Sequence, residues 1–529
     1  MSSIAREIQP MIESNPDMPI HAIQSPLLRK HQLEISLHKV FRAKRITTTK
    51  IYGDYQEQYA LLRSYCDELL KVNPGSTIKI DVEPCGNSAS PTRQFRRVYF
   101  CFASMMRGFK MIGRPLLGVD GCFMKGPYPG QILSAVGIDG NNSIYPVCYA
   151  LVEAETTQTW KWFLQLLRDD LGCTADSCFT FISDRQKGLI PAMLAVFPNG
   201  EHRFCLRHIH ENMKSKWHGD LYKNLLWSAG RKTSIPYFNK AMEEIKTTER
   251  AMYDWLNEIP FTAWSRAYFS GRAKCDMLLN NICEVFNRQI VGARDKSIIT
   301  CLEFIREYMT KRIVNVNKLQ AKCTGPLTPH ATEVFDEIKK QAAEMSVLMV
   351  DSDKYQVTGP RSQCVVNVKH KTCACRKWDL TGMPCKHAVA AIWDMSRNNI
   401  DAGIPEEWVD DVYWLSTWKK VYQNVIEPIN GSEMWTPLEC PTTLIPPKHH
   451  TQVGRPKKKR KKAFGEKELE QEFDKGGKMT RKGSSIKCGK CGNMGHNVRS
   501  CKGQGGEQST ASQESHTTTQ GAPVYNLDE

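Results

Sequence analysis

The chain has 529 residues, 41% of them hydrophobic, and a formal net charge of +16. That length holds roughly three or four domains with sizeable cores, and the basic balance points to a polyanionic partner, nucleic acid first. No apolar run reaches the ~18 residues of a membrane span, and residues 1–20 lack a basic start followed by an apolar stretch, so neither a membrane protein nor a secreted, disulfide-framed one is expected.

The 20 cysteines are accordingly read as intracellular reduced thiols, the grouped ones as metal ligands. No internal repeat is visible. Residues 1–95 form a helical N-terminal region. Ile4, Ile8 and Ile12, then Ile20, Ile23, Leu27 and Leu28, recur at helical spacing. The basic stretch Lys39–Lys50 is either a DNA contact or a solvated helix face. After Asn73-Pro-Gly75, residues 76–84 alternate as a strand does.

Residues 96–310 change character. Leu116, Leu117 and Val119 have the make-up of a buried strand, and Asp120 closes it. A charge there is costly unless paired or metal-bound, although Gly121 beside it also suits a plain turn. Two more apolar segments, 131–139 and 143–155, follow strong turn signals. Thr159–Leu171 is an amphipathic helix with Trp160, Phe163, Leu164, Leu166 and Leu167. Residues 178–184 form another strand ending in Asp184, which can equally cap the helix that follows. Three hairpin-connected strands, a helix, a strand and a helix fit an RNase H-like core, where the first and fourth strands lie side by side.

These residues carry a family resemblance. GVDGCFMKG, TWKWFL, FISDRQKGL, HRFCLRHIHENM and NNICEVFNRQIVGAR resemble plant Mutator-like transposases, over about residues 1–400. The resemblance implies an Asp-Asp-Glu triad of Asp120, Asp184 and Glu284, binding Mg²⁺ or Mn²⁺. It also implies a helical insertion, here about 214–279, and a Cys-x-x-His element at Cys205 and His208. Three carboxylates suit phosphodiester chemistry, because two divalent ions ~3.5–4 Å apart stabilise both the attacking and the leaving oxygen. Glu303, on the next helix, is the rival third ligand.

A helical connector is expected over 311–354. Cys373-Ala-Cys375, nine residues, then Cys385-Lys-His387 supply three thiolates and one imidazole, which suits tetrahedral Zn²⁺. The spacing resembles a SWIM-type zinc finger, placed at 355–400. A connector follows at 401–447, with apolar periodicity fading after Cys440. In the basic linker 448–485, Gly454–Lys462 carries seven positive charges in nine residues: Arg455, Lys457, Lys458, Lys459, Arg460, Lys461 and Lys462. It reads as a nuclear localisation signal or as an AT-hook-like core for the minor groove. Cys488, Cys491, His496 and Cys501 have the Cys-x₂-Cys-x₄-His-x₄-Cys spacing, which resembles a CCHC zinc knuckle (486–503) for single-stranded nucleic acid. The tail, 504–529, has a disordered composition.

The expected protein is thus nuclear, binds DNA and two structural zinc ions, stays off membranes and forms a homo-oligomer. Two functions remain open. One is a cutting and joining transposase. The other is a domesticated DNA-binding transcriptional regulator without catalysis.

Overall fold

The fold is built around strands whose side chains are apolar on both faces. The computed structural model describes residues 2–447, apart from 15–17, 32–34, 53–54, 86–90, 126–127, 129, 174–178, 361, 437 and 439. The expected basic run and CCHC knuckle lie outside the described residues.

Three N-terminal helices, α1 (Ser2–Ser14), α2 (Ile20–His31) and α3 (Leu37–Tyr52), close on Ile8, Ile12, Ile23, Leu27, Val40 and Ala43. α4 (Tyr55–Val72) leads into the main sheet. There β1 (Thr77–Pro84) and β2 (Thr92–Cys101) pair antiparallel. After α5 (Ala103–Ile112), β3 (Leu116–Phe123), β4 (Gln131–Ile138) and β5 (Ile144–Val152) form an antiparallel meander. Then come α6 (Thr157–Leu171), β6 (Thr180–Ser183), α7 (Leu189–Val196) and β7 (Glu201–Phe204). The strand order is β1-β2-β5-β4-β3-β6-β7, with β6 parallel to β3 and β7 parallel to β6. β4 and β5 are buried along their whole length. That explains why they read as continuous apolar runs: both faces are covered. α6 starts at a reciprocal Thr156–Thr159 capping box and stops at Gly172, φ 67°.

α8 (Leu206–Met213) opens the helical insertion, formed by α9 (Asp220–Arg231), α10 (Ile235–Thr248) and α11 (Arg250–Asn257). Its own core includes Leu226, Phe238, Met242, Met252 and Trp264. Arg203 of the edge strand β7 is fully buried. It donates to Glu201 and to the carbonyls of Cys275 and Ser270, so a satisfied charge ties the sheet edge to the insertion. α12 (Asn281–Gln289), α13 (Ile298–Gln320) and α14 (Pro329–Ala342) follow.

The helical expectation for 311–354 needs correction at its end. β8 (Ser346–Met349) pairs with β9 (Lys354–Gly359), and β10 (Ser362–Asn367) and β11 (Thr372–Cys373) complete a second sheet of order β11-β10-β9-β8. Asp351 makes the hairpin: its Oδ1 accepts the amides of Asp353 and Lys354. A four-residue apolar run is too short to show a period of its own. α15 (Lys377–Thr381) and α16 (Lys386–Arg397) cover this sheet, then comes α17 (Leu415–Val421). The tail end of 401–447 also departs from expectation. β12 (Thr443–Ile445) adds to β2 in parallel, its approach held by Arg63 donating to Thr442 Oγ1 at 2.7 Å.

α17 is latched to the sheet by a buried carboxylate. Asp139 Oδ2 accepts Trp418 Nε1 and Tyr422 Oη, both at 2.8 Å, and Oδ1 accepts the amides of Asn141 and Ser143. Residues 1–452 form one compact unit. Among the described residues, no helix is long and apolar enough to cross a membrane.

His202 on β7 gives an acid-side test of this packing. Burial pushes its imidazole down to about 4 from 6.5, while its Nε2 lies 2.7 Å from Ser183 Oγ. The unfolded chain protonates this group below 6.5 and the folded chain only near 4. Stability is therefore present above pH 6.5 and lost as pH falls towards 4, by on the order of 3 kcal/mol. His202→Gln should flatten the fall in melting temperature between pH 6.5 and 4. An unchanged slope would assign the acid lability elsewhere.

Candidate functional site

Leu116, Leu117 and Val119 are fully buried and Asp120 follows them, but the strand neither closes nor turns there as expected: β3 continues through Gly121 to Phe123, held by its pairing with β4. β6 runs beside β3 with Gly118 opposite Ile182, so Asp184, one residue past β6, emerges next to Asp120. Asp184 is not a helix cap. The N-cap of α7 is Gly188, and Asp184 Oδ1 instead accepts the Gln186 amide at 3.3 Å.

α12 lies across this end of the sheet. A Cβ on Gly118 would come 2.6 Å from Asn280 Oδ1 and 2.7 Å from Ile282, so only glycine lets the helix sit this close. Asn280 Nδ2 donates to the Val119 carbonyl at 3.1 Å, and Asn287 Nδ2 to Asp120 Oδ2 at 2.8 Å. Positions 280, 284 and 287 share one helix face, which puts Glu284 between these two anchors. Its Oε2 receives Arg207 Nη1 of α8 at 2.5 Å. Glu303 is engaged elsewhere, by Tyr65 of α4 and by Arg306.

A fourth carboxylate belongs to this cluster. β5 runs parallel to β3, because each pairs antiparallel with β4, so its C-terminal end shares the edge of the sheet with Asp120 and Asp184. Glu155 follows it. Its Oε1 accepts Trp160 Nε1 at 3.2 Å, and Gln186 Nε2 donates to its carbonyl at 3.3 Å. A side chain on Gly121 would meet the Glu155 carboxyl carbon at 3.1 Å. The strand-end argument that singles out Asp120 and Asp184 applies equally to Glu155. In sequence it only closes the apolar segment 143–155, two residues after Glu153.

The charges crowd. Burial first, then Asp184 and Glu155, push the Asp120 carboxyl up to about 7. Glu155 is raised by burial and by Asp184, and Asp184 by burial. His208 of α8 balances them. The Cys205 sulfur, then Asp184 and Glu284, hold its imidazole up at about 9 against its burial, so it is cationic at neutral pH. Cys205 has a structural part. Buried at the start of α8, its sulfur accepts the Asn280 amide at 3.3 Å and its own amide donates to the Ser183 carbonyl.

The second site is the cysteine and histidine cluster. Cys373 ends β11, Cys375 follows it, Cys385 caps α16 and His387 sits in its first turn. Their ligand atoms all lie within 4.8 Å of one another, closer than any other group of three or more such ligands among the described residues. His387 Nδ1 is 3.7 Å from Cys373 Sγ and 3.8 Å from Cys385 Sγ. Those spacings fit a tetrahedron with Zn–S near ~2.3 Å. His387 Nε2 faces Ser362 Oγ at 3.2 Å, which fixes the ring and leaves Nδ1 for the metal. A fourth thiol, Cys364 of β10, is held below the usual thiol range by Cys373 and His387 beside it.

Residues 116–212 match the MULE transposase domain and residues 363–395 the SWIM zinc finger. The chain carries a MULE transposase domain. Joined to a SWIM finger, it is consistent with a Mutator-like transposase, and Cys373, Cys375, Cys385 and His387 form a cluster that could hold the zinc of such a finger. The MULE match takes in Asp120, Glu155, Asp184, Cys205 and His208 and ends before Glu284. No curated protein matches the chain. The SWIM finger has a larger core than its motif suggests. Leu327, Phe335 and Val409 pack with the ligands. Arg376, between the two ligand pairs, donates to the carbonyls of Ala267 and Phe269, and Thr233 Oγ1 donates to the Cys375 carbonyl. The finger is thereby fixed to the helical segment that follows the matched MULE residues.

Proposed function

We propose that this protein cuts and joins DNA strands, with an RNase H-like core and a divalent-cation site made by Asp120, Asp184, Glu284 and Glu155. The observation that carries this reading is that Asp120 within β3, Asp184 just past β6 and Glu155 beyond β5 act on one another on the same side of the sheet, with α12 laid over them. In support, the first and fourth strands of the meander-helix-strand unit, β3 and β6, are neighbours.

The donor set fits Mg²⁺ or Mn²⁺: hard oxygen ligands, few in number, with room for phosphate oxygens and water. Three raised carboxyls, Asp120, Asp184 and Glu155, are a group that a cation would relieve. When bound, such cations stabilise the attacking and leaving oxygens of an in-line displacement. The chain's own residues do the rest. Asn287 orients Asp120, Arg207 turns Glu284, and the His208 cation sets positive charge beside Asp184 and Glu284, where a phosphodiester can be held.

A second reading, a DNA-binding transcriptional regulator that does not cut, draws on the Arg207–Glu284 pair, which already neutralises the third carboxylate. The proposal extends to a nuclear location, homo-oligomeric assembly, and contacts with single-stranded nucleic acid through Cys488, Cys491, His496 and Cys501. The test is strand cleavage of duplex DNA by the full chain with and without Mg²⁺ or Mn²⁺. Cation-dependent cleavage is expected, and Glu155→Gln should lower it about ten- to a hundredfold, as expected for a residue that supports a metal site. Binding without any cleavage would favour the regulator.

A further inference from the structure

The N-terminal helices take no part in either site, yet α3 has an unusual surface. Residues 36–50 hold five basic residues and no acidic one. Val40, Ala43 and Thr47 turn inward, and Thr47 Oγ1 donates to the Ala5 carbonyl of α1 at 2.8 Å. Gln24 Nε2 of α2 donates to the Ile35 carbonyl at 2.6 Å, just before α3 starts. α3 is therefore held against α1 and α2 in one rotational setting.

At 100° per residue, Arg42, Arg45 and Thr49, with His38, face away from that stripe, and Lys39 and Ile46 flank them, all exposed. Among the described residues, none supplies an acidic partner to Lys39, Arg42 or Arg45. A solvated helix would be expected to mix signs along this face. This one alternates guanidinium groups with an apolar side chain and a hydroxyl. That combination suits the edges of base pairs: arginine to guanine O6 and N7, and apolar contact to the thymine methyl. α3 has 16 residues, about 24 Å of helix, and a B-form major groove about 12 Å wide admits one.

We propose that α3 is a DNA-reading helix, whose Lys39–Thr49 face enters the major groove of duplex DNA. The inference stands whether or not the carboxylates cut. Arg42 and Arg45 read bases, and Lys39 contacts phosphate. The basic run Arg455–Lys462 differs in kind, because a run of charge on an extended segment binds phosphate without regard to sequence.

The experiment uses the full chain and a pool of duplexes with a randomised central segment. The wild type should enrich a motif. R42A/R45A should enrich none and should bind the wild-type motif about tenfold or more weakly, with an unchanged melting temperature, since both residues are exposed. Lys39→Ala should weaken all duplexes alike and reduce the salt slope by about one. Neutralising Arg455–Lys462 should lower affinity and salt slope and leave the motif intact. The proposal is overturned if R42A/R45A enriches the wild-type motif with wild-type affinity, or if the wild type enriches nothing. Loss of cleavage in Asp120→Asn with the motif retained would separate the two functions.

Discussion

Asp120→Asn should abolish cation-dependent strand cleavage, by on the order of 10³-fold or more, and at the same time raise the melting temperature. Both effects come from one geometry. Asp120 is the carboxylate on which both Asp184 and Glu155 act: β3 carries it and Asn287 holds its Oδ2. An amide keeps the shape but carries no charge for a cation. The stability effect has a definite sign. A carboxyl raised from 3.8 to about 7 in the folded protein contributes stability below pH 3.8 that is lost as pH rises through 7. At pH 8 the wild type without cation bears this full cost, on the order of 4 kcal/mol at most. The amide does not. The variant should thus melt higher than the wild type at pH 8 and about equally at pH 4. Saturating Mg²⁺ should narrow the gap at pH 8, because only the wild type gains from it. A residue that was merely structural would behave in the opposite way, losing stability on substitution. Undiminished cleavage would remove Asp120 from the site.

The parts of this site that were legible in sequence share a property: each interrupts a pattern. Asp120 and Asp184 end apolar runs, and the Cys373–His387 set has fixed short spacing in a stretch otherwise poor in such ligands. Glu284 stood out only through the family resemblance, because a glutamate on a helix breaks nothing. Glu155 was missed because it closes the apolar segment 143–155 behind a second glutamate, Glu153, so no single charge marks the end of that run. Long-range satisfaction was invisible for a different reason. Asp139 is buried because Trp418 and Tyr422, 279 and 283 residues away, donate to it. Arg376 looks like a surface residue of a zinc loop until the carbonyls of Ala267 and Phe269 are beside it. Periodicity reports which face is buried, not which distant element buries it. The short strands β8 and β12 show the same limit, since their pairing energy lies in partners rather than in their own few residues.

Cys385→Ala should cost the protein one equivalent of zinc and loosen the contact between the SWIM finger and the helical insertion. Cys385 is buried, caps α16, and stands 3.8 Å from His387 Nδ1. Structural zinc sites contribute about 10–16 kcal/mol to folding in small modules. Here the finger has further support from Leu327, Phe335 and Val409, so the loss should open the ligand loop rather than unfold the whole chain. That loop carries Arg376 and the Cys375 carbonyl, the two groups that grip residues 233 and 266–269. Its release should expose the segment between Cys375 and Cys385 to protease and reduce strand cleavage with the carboxylates intact. Zinc content by metal analysis and limited proteolysis with fragment masses measure both effects. Cys364→Ser is the control. Cys364 lies beside Cys373 and His387 but outside the group whose ligand atoms converge, so its replacement should leave zinc content unchanged. Full zinc content in Cys385→Ala, or a lost equivalent in Cys364→Ser, would mean that the ligand set is drawn from the five sulfur and nitrogen donors in a different combination.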